Sequence, residues 1–299
     1  MHDKPLVLPR ASLWSRIPLV VRAAFVGFVV MGVGVQSWSL LAMIGLQRRV
    51  AWMPLATMPA LLVVYWLFFS GRLFWPATKA ARRENFRETA LSPATWIWGL
   101  AGALLFVVVF QSAVFALFRL FPYPREQFAP PSYVAQIPTA LLWPLVVMAS
   151  LVAGICEETG FRGYMQRPLE TRYGPAAAIS MTSLLFIAGH LNQAWIGALF
   201  VPGLLASVML GVLAYASRSL IPSMIGHAVM DVFNFGYWWW QLLGSYNQRP
   251  IGETGIDFNF CVSASTLVIS LSLFVVVVRK LWSASGISAR QLAGRSATS

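Results

Sequence analysis

The chain has 299 residues, 58% of them hydrophobic and only 11% charged, with a formal net charge of +12. Soluble domains carry roughly 25% charged residues, so the composition excludes an ordinary water-soluble enzyme and points to a chain dissolved in lipid. The positive balance is no nucleic-acid patch either, because the Lys and Arg fall between apolar segments in the alternating pattern that a bilayer imposes.

In chain order, an N-terminal arm (1–22) leads into a first uncharged stretch. That stretch is too long for a signal-peptide core and no cleavage site follows it, so it reads as a helix. About 20 apolar residues cross a hydrocarbon layer near 30 Å thick. By that measure the sequence predicts eight spans: 23–46, 51–70, 95–118, 134–156, 175–192, 196–217, 220–243 and 258–278. The fold class is all-α, a polytopic membrane helical bundle. One transmembrane domain covers 23–282, with a core at about 134–243 and a flexible tail at 283–299. With a cytoplasmic N-terminus, Arg48, Arg49, Arg119, Arg125 and Arg249 lie outside, and the other 17 of the 22 Lys and Arg lie inside. That asymmetry predicts both termini in the cytoplasm; a bacterial inner (plasma) membrane is the expected location. The run Lys79 to Glu88 (KAARRENFRE) is expected as a cytoplasmic loop against anionic headgroups. Cys156 and Cys261 lie in or beside spans and imply no disulfide.

Charged side chains within spans default to function, and here they are few and close in sequence. The fourth span ends in GICEETGFRGYMQRP (Gly154 to Pro168), which carries Glu157, Glu158 and Arg162. The fifth holds His190, and the seventh holds His227 and Asp231. Glu158 and Arg162 are i and i+4 with the acid first, the favourable order for a pair. Glu157 lies about 100° round the helix and faces elsewhere. Phe186 and His190 repeat the i, i+4 spacing, as do His227 and Asp231. Gly174-Pro175 is a turn signal, and Glu157 and His190 stand nearly equidistant from it, which puts both at one depth in an antiparallel hairpin. His227 and Asp231 lie roughly 12–18 Å from the turn at Arg218-Ser219. The sequence therefore predicts a polar chamber among the fourth, fifth and seventh spans, roughly 10–18 Å below the cytoplasmic surface. Kinks at Pro138 or Pro144 would alter helix tilt.

A buried carboxylate beside an imidazole can hold and deprotonate a water. A second imidazole with a polar partner can stabilise an oxyanion. The same residues could ligate a divalent metal such as zinc. There is no H-E-x-x-H pair and no G-x-S-x-G elbow, and the two carboxylates beside Cys156 disfavour it as a nucleophile.

On these residues the sequence resembles the CAAX-processing endopeptidase and bacteriocin-immunity family (CPBP, also called ABI) of intramembrane proteases. The family pattern Glu-Glu-x-x-x-Arg matches Glu157, Glu158 and Arg162. Phe-x-x-x-His matches Phe186 and His190, and His-x-x-x-Asn or Asp matches His227 and Asp231. The resemblance implies that Glu157 and His190 activate water, that His227 and the third-motif side chain stabilise the oxyanion, and that Glu158, Arg162 and Phe186 support the site. Metal and glutamate-only mechanisms both stay open; Glu157, His190 and His227 would be the ligands if a metal is used. Asp231 is the less usual residue at its position and cannot donate to an oxyanion unless protonated, so orienting His227 is its alternative role. The substrate expected is a protein or peptide, membrane-bound or not, and prenylation is not implied. Two other classes answer to the same residues, a non-catalytic immunity or regulatory membrane protein and a proton-coupled transporter.

Overall fold

The computed structural model describes residues 13–87, 90–122, 128–130, 132–191, 196–240 and 249–286. Most of the predicted arm and tail, and the ends of the predicted spans 175–192 and 220–243, lie outside the described residues. Nine helices carry the architecture among those described: α1 (Leu19–Gln47), α2 (Met53–Phe69), α3 (Lys79–Phe86), α4 (Pro93–Leu120), α5 (Thr139–Tyr173), α6 (Pro175–Ala188), α7 (Ile196–Ser217), α8 (Ile221–Trp240) and α9 (Phe258–Ala284). No strand occurs among the described residues.

The protein is an all-α bundle, and each of the eight predicted spans contains a helix. Length and hydropathy alone qualify five to cross a membrane, namely α1, α4, α5, α7 and α9. The apolar helices α2 and α6 are shorter, at 17 and 14 residues. Val21, Phe25, Val29 and Val33 form an exposed stripe at four-residue spacing along α1, and Val262, Ile269, Leu273 and Val276 are exposed on α9. Exposed apolar faces on helices long and apolar enough to cross a bilayer mark surface turned to lipid, and this is an integral membrane protein.

Helix limits follow local chemistry. Ser92 caps α4 by accepting from the Thr95 N–H at 3.2 Å, with Pro93 at the first helical position. Asp257 caps α9 by accepting from the Phe260 N–H at 2.9 Å. The predicted Gly174-Pro175 turn is present, with Gly174 at φ +80° where a Cβ would be strained. The α7–α8 turn pivots on Arg218 (φ 57°), and Ser217 Oγ donates to the Ser219 carbonyl at 2.8 Å.

Three buried clusters join the helices. Phe106, Phe110, Leu210, Leu213, Phe274 and Leu281 fill the space between α4, α7 and α9. Val30, Met58, Tyr65, Val152 and Cys156 join α1 and α2 to α5. Ala23, Phe161, Met165, Phe186 and Ile187 join α1, α5 and α6.

The basic run Lys79 to Glu88 departs from its expected role as a headgroup-facing loop. Residues 79–86 form α3, and Arg82 and Arg87 are buried rather than turned to the surface. Arg82 donates to the carbonyls of Phe68, Leu73, Phe74 and Trp75. Those carbonyls belong to the last turn of α2 and to the segment that follows it, so the cation is held by chain rather than by lipid. Lys79 and Arg83 are exposed as expected.

Candidate active site

The segment that carries the two glutamates is not a regular α-helix. Pro144 lies inside the α-helical part of α5, but the ladder changes only later. Ala153–Glu157 and Thr159–Met165 are wound as π-helix, and α-helix resumes at Gln166. Such i→i+5 turns are frequent at functional sites. Glycines lie within both of them. A Cβ on Gly154 would stand 2.7 Å from the Met224 carbonyl of α8, and one on Gly160 would stand 2.5 Å from the Gly27 carbonyl of α1. Lacking those atoms, α5 lets the backbones of α1 and α8 approach closely, as small residues do between membrane helices.

Glu158 and Arg162 are both fully buried, and Arg162 Nη1 donates to Glu158 Oε1 at 2.8 Å. Arg162 Nη2 donates to the Ser207 carbonyl at 3.0 Å and to its Oγ at 2.8 Å, which ties α5 to α7. The guanidinium carbon lies 4.8 Å from the centre of the Phe186 ring. Phe186 therefore seals the pair and sets the last turn of α6. His227 Nδ1 donates to the same Glu158 oxygen, also at 2.8 Å. Glu158 thus accepts from both an arginine and a histidine and joins α5 to α8.

Glu157 points elsewhere, as the 100° offset predicts. Its Oε2 stands 3.9 Å from His190 Nε2, and the two side chains are 13% and 16% exposed. That carboxylate oxygen is buried and accepts no hydrogen bond from the described residues. His190, expected within a helix spanning 175–192, lies in the turn just past α6, and its Nδ1 bonds the Phe186 carbonyl at 2.7 Å. A carbonyl only accepts, so this bond places a proton on Nδ1 and turns the Nε2 edge of the ring towards Glu157. Their equal distance from the Gly174-Pro175 turn does bring the two residues together. Asp231 Oδ2 lies 3.8 Å from His227 Nε2 and is 19% exposed on its side chain.

All seven predicted residues therefore converge from α5, the end of α6, and α8. Ser207 was not anticipated, and neither was the bond from His227 to Glu158. No sequence spacing marks Ser207. The three glycines Gly154, Gly160 and Gly163 do mark the close helix approach. On the question of a metal, the described residues hold no group of three His, Cys, Asp or Glu side chains placed to ligate an ion. Glu157 and His190 face each other, while His227 is engaged with Glu158.

Residues 138–233 match the model of the family described as type II CAAX prenyl endopeptidase Rce1-like. The matched stretch, about a third of the chain, contains all three motifs. It is consistent with the CPBP resemblance and supports an intramembrane endopeptidase at the level of the family. No curated protein and no solved structure matches the chain.

Proposed function

We propose that this protein hydrolyses a peptide bond of a protein or peptide substrate within the membrane, using water activated by Glu157 and His190. The observation that carries the reading is the facing pair Glu157 Oε2 and His190 Nε2, 3.9 Å apart in a partly open position. That is too long for a direct hydrogen bond and suits a shared water. A water there gives one hydrogen to each acceptor and turns a lone pair outward. Attack forms the bond from water oxygen to carbonyl carbon while Glu157 takes the proton. Glu157 then returns it to the leaving nitrogen as the carbon–nitrogen bond breaks. His227, held through Nδ1 by Glu158, presents Nε2 towards the developing oxyanion and donates there when the ring is doubly protonated. Asp231 orients that edge of the ring. Glu158, Arg162 and Phe186 hold the frame.

The testing experiment is a comparison of membrane peptides from cells carrying the wild type with those from cells carrying Glu157→Ala. Cleavage products present only with the wild type are expected. A biological effect that survives Glu157→Ala and Glu157→Gln would sink the protease reading. The bond from His190 Nδ1 to a backbone carbonyl is also what metal-ligating histidines make. Exhaustive chelation, followed by zinc or cobalt, is therefore the companion measurement. Activity retained by metal-free protein supports water activated by glutamate alone, and loss restored by metal supports ligation by Glu157, His190 and His227.

Access from the cytoplasm, with both termini on that side of the membrane, is part of the same proposal and rests on the charge bias. Single cysteines at Ala188 and Ile225, in a background lacking Cys156 and Cys261, should react with an impermeant thiol reagent in inside-out vesicles. A cysteine at Ser245, which lies outside the described residues, should react only from outside cells. Labelling of Ala188 or Ile225 from outside alone would reverse the orientation.

A further inference from the structure

A helix that returns from i→i+5 to i→i+4 bonding passes over one carbonyl, and a buried carbonyl without a donor costs roughly 1–3 kcal/mol. In α5 that carbonyl belongs to Arg162. The Gln166 N–H reaches the carbonyls of Phe161 and Gly163 and skips the one of Arg162. The missing donor comes from 75 residues away, where Arg87 Nε donates to the Arg162 carbonyl at 3.1 Å. The same guanidinium donates through Nη2 to Glu170 Oε1 at 2.6 Å and through Nη1 to the Ala214 carbonyl at 3.5 Å. Gln166 Nε2 donates to that Glu170 oxygen at 2.7 Å and to the Gly211 carbonyl at 3.1 Å. Arg87 is 7% exposed and holds φ 53°, a left-handed conformation that costs a residue with a Cβ about 1–2 kcal/mol. Strain of this kind persists where surrounding contacts over-determine it.

We propose that Arg87 is a positioning residue for the site. By occupying the skipped carbonyl it fixes where π-helix gives way to α-helix. It thereby fixes the register that aims Arg162 at Glu158 and Ser207, and Glu157 at His190. Arg87 lies outside the matched residues 138–233. The part of this inference that concerns rate rests on the hydrolase reading; the part that concerns register does not. The rival account is a plain ion pair with Glu170 that fastens the end of α3.

Arg162-Gly163 is the only Arg-Gly step in the chain. The full protein in lipid bilayers, labelled with carbonyl-¹³C arginine and ¹⁵N glycine, therefore gives one carbon–nitrogen cross peak from that peptide bond. Loss of its hydrogen bond moves the carbonyl resonance upfield. Arg87→Lys keeps a cation near Glu170 but lacks the fork that reaches the carbonyl at the same time. The upfield move is expected in Arg87→Lys and Arg87→Ala and not in Glu170→Gln. With a substrate from the peptide comparison, Arg87→Lys should lower kcat by about 10–100-fold with KM unchanged, as expected for displaced catalytic groups. An unmoved cross peak in folded Arg87→Lys overturns the proposal whether or not any peptide is cleaved. A moved peak with unchanged kcat overturns the link from register to site. A wild type that cleaves nothing overturns the hydrolase reading and leaves the register claim to be judged by the cross peak alone.

Discussion

Along α4 and α9 the bundle packs by large apolar side chains. Phe106, Phe110, Phe274 and Leu281 belong to one buried cluster, and the fully buried cation there, Arg119, lies at the end of α4, where it pairs with the partly exposed Asp257 at 3.0 Å. Along α5 the same bundle packs by glycines. Gly160 meets Gly27, Gly154 meets Met224, and a network of Glu158, Arg162 and His227 runs through the contact with no exposure to solvent above a few per cent. Lipid tails are as apolar as leucine, so membrane helices gain little from hiding apolar surface and must associate through packing and polar bonds. The first region takes the packing route. The second takes the polar one, in which Glu158 accepts from both Arg162 and His227 while one carboxylate, Glu157, stands outside that network.

The largest expected effect separates Glu157 from that network. Glu157→Gln keeps size and shape but removes the base, so cleavage should fall by about 10²–10⁴-fold. Thermal unfolding in nanodiscs should stay at the wild-type midpoint. A midpoint lowered as far as that of Arg162→Ala would mean that Glu157 belongs to the structural network after all.

Arg162→Ala is expected to act on the fold first. It leaves Glu158 buried without its cation, a change that costs roughly 3–5 kcal/mol, and the yield of folded protein from detergent should drop. Arg119→Ala in the α4–α9 region is the matched control. Its partner Asp257 has a side chain 31% exposed and can take up water, so the loss should be smaller. Equal losses would erase the distinction between the two regions. Normal yield and midpoint for Arg162→Ala with lost cleavage would move Arg162 into the chemical step.

The polar half of this comparison was more legible in the sequence than its geometry was. Three i, i+4 pairs and two turn signals were enough to bring Glu157, His190, His227 and Asp231 together, because depth along a hairpin depends only on residue count. The register of α5 was not legible, since counting at 3.6 residues per turn assumes the ladder that the π segments break. The link from Glu158 to His227 spans 69 residues and the one from Arg87 to Arg162 spans 75. Neither leaves a local pattern. Arg87 stands in a run of basic residues whose exposed members, such as Arg83, look the same in sequence. The count of crossings was legible only in part, because α2 and α6 are apolar but short for a bilayer and α8, long enough at 20 residues, is not apolar enough to qualify on hydropathy.

The glycine contacts offer a smaller test. Gly160→Ala would place a Cβ 2.5 Å from the Gly27 carbonyl, so α1 must move away. A loss of about 1–3 kcal/mol is expected, the usual range for overpacking. Gly252→Ala, with no atom near the new Cβ, should leave the unfolding midpoint where it is. If the two variants unfold together, the α1–α5 contact is looser than its geometry states.

The smallest effect belongs to the face turned to lipid. Val276 on α9 is 51% exposed, whereas Val152 on α5 is 1% exposed against Met58 and Leu62. Both are valines on long membrane helices, and hydropathy alone would give their truncation one cost. Packing gives two. Val152→Ala opens a void that its neighbours close only in part, and about 1–3 kcal/mol is expected. Val276→Ala exchanges contacts with protein for contacts with acyl chains, which fill any space left behind, so its change should stay within about 0.5 kcal/mol. Unfolding of both variants in nanodiscs decides the matter. A cost for Val276→Ala as large as that for Val152→Ala would mean that the exposed stripe of α9 is covered by protein in the membrane, and α9 would then no longer mark the lipid boundary of the bundle.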